Sequence, residues 1–132
     1  MKVYIASSFS LIPKILDLVN KLKLMGHIIS VKWWERQHLK NQFAMLNTDI
    51  FYARPECEYA FHTDLEGIKN SDILILVADD KPRAYNGANI ELGMALALNK
   101  PCYSIGNLEN SVMYYTVKKC TTVNNLIERF LC

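Results

Sequence analysis

Two carboxylates stand where their surroundings suggest more than a solubilising charge. Glu91 is the one charged residue in the stretch Gly87-Ala88-Asn89-Ile90-Glu91-Leu92-Gly93-Met94-Ala95-Leu96-Ala97-Leu98. That stretch is rich in helix formers. It opens at the turn signal Asn86-Gly87 and closes at Asn99-Lys100-Pro101, where proline ends a helix. The spacing places Glu91 in the first turn, where free main-chain N–H groups favour an ionised carboxylate. An ionised Glu facing a crevice can act as a nucleophile. The same position equally suits an acid that only complements the helix dipole. Asp64 shares an i, i+3, i+4, i+7 stripe with Phe61, Leu65 and Ile68. A carboxylate in an apolar stripe is costly unless it is paired or working. The alternative is a helix-end residue that bonds nearby backbone N–H groups. Hydroxyls, among them Ser7 and Ser8, and a tyrosine stand close to expected strand ends.

These side chains need a scaffold, and the hydrophobic pattern supplies one. Lys2 to Ala6 reads as a buried first strand, followed by the hydroxyl-rich loop Ser7-Ser8-Phe9-Ser10. Ser10 is placed to cap a helix with Pro13 in its first turn. Leu11, Ile15, Leu18, Leu22 and Met25 then recur at helical spacing up to a terminating Gly26. His27 to Trp34 reads as a second strand. Trp33 and Trp34 at its end either wall a slot for a flat ring or pack as core and rim. Glu35 to Arg54 has no clean period and is expected to be a helix or a partly ordered flap. Pro55 to Asn70 is helical. Asp72 to Ala78 is almost wholly apolar, as expected of a strand covered on both faces. The polar loop from Asp79 to Asn86 leads into the Glu91 helix. Pro101 to Ile105 reads as a fourth strand closed by Gly106, Val112 to Val117 as a turn with a fifth strand, and Val123 to Leu131 as a closing helix.

The alternation predicts one domain over residues 1–132. Its fold class is α/β: a doubly wound, flavodoxin-like or Rossmann-like sheet of about five mostly parallel strands with helices on both faces. In such sheets, loops at the carboxyl ends of the strands carry the ligand contacts.

Bulk composition narrows the function. The 132 residues are 51% hydrophobic and 21% charged, with a formal charge of +2. Nothing here predicts a nucleic-acid surface or a membrane span. Without a signal-peptide pattern, Cys57, Cys102, Cys120 and Cys132 are expected as free thiols in a reducing, cytoplasmic setting. His27, His38 and His62 lack zinc-ligand spacing, so no metal is expected. No GxGxxG follows the first strand, and neither GxxxxGK[ST] nor GxSxG occurs.

Tyr4-Ile5-Ala6-Ser7-Ser8, the run from Asp64 to Asp72, and Gly87 to Ala97 together resemble the nucleoside 2-deoxyribosyltransferase family and the related deoxynucleoside 5'-monophosphate N-glycosidases. The resemblance runs in order from Tyr4 to about Ser111, with little match between Glu35 and Tyr59. It implies that Glu91 attacks the anomeric carbon and holds a deoxyribosyl ester. It implies that Asp64 orients the substrate and helps move a proton at the base, and that Tyr4 positions Glu91. Ser7, Ser8, Tyr85 and Gly87 would bind substrate, and a neighbouring subunit would add Asn110 and Ser111. The implied partners are a deoxynucleoside or deoxynucleotide and a free base, with no cofactor, in a homodimer or higher homo-oligomer with shared active sites. The chain departs from the family at position 85, where transferases often carry Asp and nucleotide hydrolases Ser. The first loop lacks the arginine and extra glycines of the phosphate-using branch. Lys81 and Arg83 are then either phosphate ligands or solvated charges. A pocket that binds nucleotides without turning them over is the alternative to an enzyme.

Overall fold

A computed structural model describes residues 1–36, 54–80, 85–108 and 111–131. In chain order the elements are β1 (Lys2–Ala6), a 3-10 turn (Phe9–Leu11), α1 (Ile12–Leu24), β2 (Ile28–Ile29), a second 3-10 turn (Trp33–Glu35) and α2 (Pro55–Lys69). There follow β3 (Ile73–Val77), α3 (Asn86–Ala97), β4 (Cys102–Ile105), a third turn (Val112–Tyr114), β5 (Lys118–Cys120) and α4 (Val123–Leu126), which widens into a π turn at Ile127–Leu131.

All five strands pair in parallel, in the order β2-β1-β3-β4-β5. β3 is buried at every position, which requires cover on both faces. The expected α/β class is therefore the observed one. The direction of winding reverses between β1 and β3. That leaves a crevice beyond their carboxyl ends, the usual ligand position in open sheets.

Local signals set several boundaries. α1 buries Ile15, Leu18, Val19 and Leu22 and ends at Gly26, whose φ of +86° suits a residue without a Cβ. α3 ends where Asn99 takes φ +57°, a left-handed conformation that asparagine tolerates.

Three boundaries differ from the sequence reading. The second strand pairs only at Ile28 and Ile29 instead of running to Trp34. Ser30 makes a last ladder bond, its N–H to Val3 O at 2.9 Å. The next carbonyl of β1 on that side, Ile5 O, accepts from the indole Nε1 of Trp33 at 2.6 Å. A side chain thus takes the bond a longer strand would have used. The fifth strand lies at Lys118–Cys120, after the turn expected to precede it. Ser8, not Ser10, caps the first turn, accepting from Ser10 N at 3.3 Å.

Gly106 marks the tightest backbone approach. It has φ +93°, and a Cβ there would lie 2.5 Å from Ala78 O at the end of β3. Gly106→Ala combines a left-handed penalty with that clash, each on the order of 1–2 kcal/mol. We expect a loss of about 3 kcal/mol, seen as a melting temperature roughly 10 °C lower. An unchanged melting curve would contradict this geometry.

Candidate active site

α3 and α2 pack against each other above the β1/β3 crevice, and each delivers one of the two carboxylates. Glu91 projects from α3 and Asp64 from α2 into a shared cavity of about 550 Å³. The floor is reached by Ser7 and Ser8 from the end of β1, and one wall is formed by Phe9 and Trp33.

The start of α3 corrects one expectation. The helix begins at Asn86, so its first turn holds no acid and Glu91 falls in the second turn. The exposed N–H groups of the helix end are too far back to keep it ionised. Burial dominates instead. It pushes the Glu91 carboxyl from its ordinary 4.5 up to about 8. A hydrogen bond from the Tyr4 hydroxyl opposes the rise, the negative charge of Asp64 adds to it, and Arg36 counters it. Glu91 keeps some accessible surface because it lines the open cavity, while its carboxyl sits against Tyr4.

Tyr4 is fully buried in β1 and donates its hydroxyl hydrogen to Glu91 Oε2. Burial first, then the charges of Glu91 and Asp64, push its titration far above the usual 10. It therefore remains a proton-bearing donor throughout the working pH range. Its ring lies against α2 because position 67 is glycine. A Cβ on Gly67 would run into Val31 and touch the Tyr4 ring at 3.4 Å. Tyr4→Phe removes the bond that holds the Glu91 titration down. We expect the Glu91 carboxyl carbon to titrate higher than in the wild type by carbon-13 NMR. A titration that stays in place or falls would contradict the bond.

Asp64 is paired, and the partner is Arg36. The guanidinium binds it through both nitrogens, Nη2 to Oδ1 at 2.7 Å and Nη1 to Oδ2 at 3.3 Å. The side chains are 19% and 24% exposed, so the pair forms part of the cavity wall. Sequence reading missed Arg36, which lies 28 residues away in the segment without a clean period. The one available signal was the cost of an acid in an apolar stripe, which calls for a partner. The stripe itself faces the cavity more than the core: Ile68 is buried, but Phe61 is half exposed.

The other expected residues divide. Ser7 lines the cavity and donates to Val77 O at 2.7 Å, tying the ends of β1 and β3 together. Ser8 lines it too, with Ser10 Oγ 2.9 Å away. Gly87 lines it with nothing within 4 Å of where a Cβ would point. Tyr85 also faces it but is buried, and its hydroxyl oxygen accepts from Asp79 N at 2.5 Å. Trp33 meets Phe9 edge-on at 5.3 Å and forms wall, whereas Trp34 packs behind it. Ser111 does not line this cavity within its own chain. It caps the Val112–Tyr114 turn, accepting from Met113 N at 3.1 Å, and Tyr114 links that turn to Asn89 of α3. Asn110, Glu109, Lys81 and Arg83 lie outside the described residues.

Among the described residues no three His, Cys, Asp or Glu side chains gather as a metal-ligand group, and no helix is long and apolar enough to cross a membrane. A buried acid backed by a tyrosine, facing an arginine-bound second acid across one cavity, suits cleavage of a bond to an electron-poor carbon.

No curated protein sequence matches the chain. Among solved structures, a Clostridium botulinum CMP N-glycosidase, BcmB, is similar in fold. It superposes with a TM-score of 0.62 at 15% identity, over 100% of both chains. The family model described as nucleoside 2-deoxyribosyltransferase matches residues 3–127. With nearly its whole length matched, and Tyr4, Asp64 and Glu91 all inside the match, this chain belongs to the nucleoside 2-deoxyribosyltransferase family.

Proposed function

We propose that this protein cleaves the N-glycosidic bond of deoxynucleosides through a deoxyribosyl ester on Glu91 and passes the sugar to another base. The observation that carries this is the convergence of Glu91, backed by Tyr4, and Asp64, held by Arg36, on one cavity. Breaking a C–N glycosidic bond builds positive charge on the sugar. A carboxylate beside the anomeric carbon stabilises that charge and captures it as an ester. The base nitrogen must gain a proton as it leaves, and Asp64 serves that transfer. A second base attacking the ester from the vacated side regenerates a nucleoside with net retention. The edge-on Phe9 and Trp33 rings supply an apolar wall for a flat heterocycle.

Water can resolve the same ester, which makes hydrolysis of 5'-monophosphates the second reading. It draws on the fold shared with an enzyme whose name describes CMP N-glycoside cleavage. In either case a neighbouring subunit is proposed to add Asn110 and Ser111. Exposed Val112, Met113 and Tyr115 beside Ser111 suit such a contact.

The deciding experiment is a panel of deoxynucleosides and their 5'-monophosphates, incubated with and without a free acceptor base. Base exchange only with acceptor supports transfer. Release without acceptor supports hydrolysis. Intact substrates throughout, with binding seen by calorimetry, would leave a non-catalytic pocket.

A further inference from the structure

We infer that Gly67 is a positioning residue: the missing side chain at this point of α2 sets how closely that helix sits on β1, and with it the spacing between Asp64 and Glu91. This rests on the N-glycoside reading above. The observation behind it is a seat with no clearance. A Cβ at position 67 would lie 2.3 Å from Val31 Cγ2 and 3.4 Å from two carbons of the Tyr4 ring. Carbon atoms rest about 3.5 to 4.0 Å apart, so the Val31 contact would have to open by about 1 Å or more.

Which side gives way decides the consequence. Val31 is held on both sides. Ser30 N–H bonds Val3 O at 2.9 Å, and two residues beyond Val31 the Trp33 indole bonds Ile5 O at 2.6 Å. The valine side chain is itself stiff at χ1. Tyr4 is fully buried in β1, which lies between β2 and β3. α2 instead borders the open cavity with Phe61, Asp64 and Leu65, so it is the element with room to move. Its present height is also fixed by a clasp at the same residue. Gly67 O accepts from the buried Ser71 hydroxyl at 2.6 Å. Ser71 Oγ lies 2.9 Å from Ser30 Oγ, which donates to Val3 O at 3.2 Å. The main chains of α2 and β1 are thus joined through two hydroxyls beside the glycine.

The two carboxylates hang from opposite sides of this seat. Asp64 precedes Gly67 by three residues, close to one turn, and so shares its side of α2. Tyr4, whose ring Gly67 faces, donates to Glu91 Oε2. Lifting α2 carries Asp64 away from the Tyr4–Glu91 pair. In the proposed reaction Glu91 takes the anomeric carbon while Asp64 serves the base nitrogen bonded to it. The spacing of the two acids therefore has to match a single C–N bond.

Two variants test this. Gly67→Ala should lower kcat about 10²-fold with KM within about threefold, since a misplacement near 1 Å costs about that much. Adding Val31→Ala removes the obstructing methyl and should return kcat to within about tenfold of the wild type. Alanine is the better helix former. A glycine that matters only for packing would therefore change the melting temperature and leave kcat per folded molecule unchanged, and that result would overturn the inference. If Gly67→Ala does not fold, the double variant decides. Folded with kcat near the wild type, it supports the seat; folded and inactive, or unfolded as well, it refutes it. A readout free of turnover separates this from the functional reading. Crystal structures of the substrate-free proteins should show α2 displaced from β1 by about 1 Å in Gly67→Ala and returned in the double variant. If the wild type releases no base from any substrate but α2 shifts as expected, the functional reading fails and the spacing role stands. If the wild type turns over and Gly67→Ala keeps its kcat, the inference about Gly67 fails alone.

Discussion

Glu91→Gln is expected to lower base release from the preferred substrate by about 10⁴-fold or more. Single positioned proton-transfer groups contribute 10²- to 10⁴-fold, and here the covalent route itself closes because an amide forms no glycosyl ester. Substrate binding should survive, since the cavity keeps its shape. The check is single-turnover base release together with the mass of quenched protein. The wild type should carry a deoxyribosyl adduct and the variant none. An adduct on the variant would place the nucleophile elsewhere. The same substitution has a stability signature of opposite sign. Within the fold Glu91 holds its proton up to about pH 8, whereas its ordinary value is 4.5. Between those values the folded chain binds a proton that the unfolded chain has released, so wild-type stability falls as pH rises through that window. A neutral glutamine has no such dependence. Above pH 8 the variant should be more stable than the wild type by about 2 kcal/mol, less than the full shift implies because the open cavity admits water. Equal melting temperatures at pH 5 and pH 9 in both proteins would contradict the burial of this acid.

Asp64→Asn is expected to cost about 10²- to 10³-fold in kcat/KM, the usual contribution of a group that moves a proton. The amide removes the acceptor through which the base receives its proton and leaves the Arg36 guanidinium without its counter-charge. The loss should depend on the leaving group. For natural bases, which depart poorly as anions, it should be large. For a deoxyriboside whose leaving group departs readily without a proton, it should shrink to within about tenfold, because only the positioning role remains. An equal loss for both substrates would argue that Asp64 orients the sugar and takes no part in proton transfer. Since Asp64 also helps raise the Glu91 titration, the Glu91 carboxyl should titrate lower in this variant than in the wild type.

The scaffold was legible because its signals are local. The run Ile73–Val77 is all apolar, Gly26 stops α1, and Asn99-Lys100-Pro101 stops α3. Each of these acts within a few residues of itself. What the sequence hid depends on distant partners. The second strand looked eight residues long because nothing between His27 and Trp34 shows that an indole will take the Ile5 carbonyl. Glu91 looked like a first-turn acid because it is the first charge after the turn signal Asn86-Gly87, whereas it is the sixth residue of a helix that begins at Asn86. Its electrostatics are set by burial against Tyr4, a tertiary contact with no local signal. Asp64 was marked by its place in an apolar stripe, yet its partner could not be named, because Arg36 reaches it only once β2 and α2 are folded together.

One consequence lies in β1. Tyr4 bonds the Glu91 carboxyl, and the next residue, through Ile5 O, holds the Trp33 indole. On the proposed function, both ends of the substrate would be gauged from one link of main chain. A substitution that tilts this strand carries the two along together and preserves the span between them. Changing which heterocycle fits therefore calls for altering Trp33 or Phe9 directly, and shifts in the surrounding sheet should leave that choice intact.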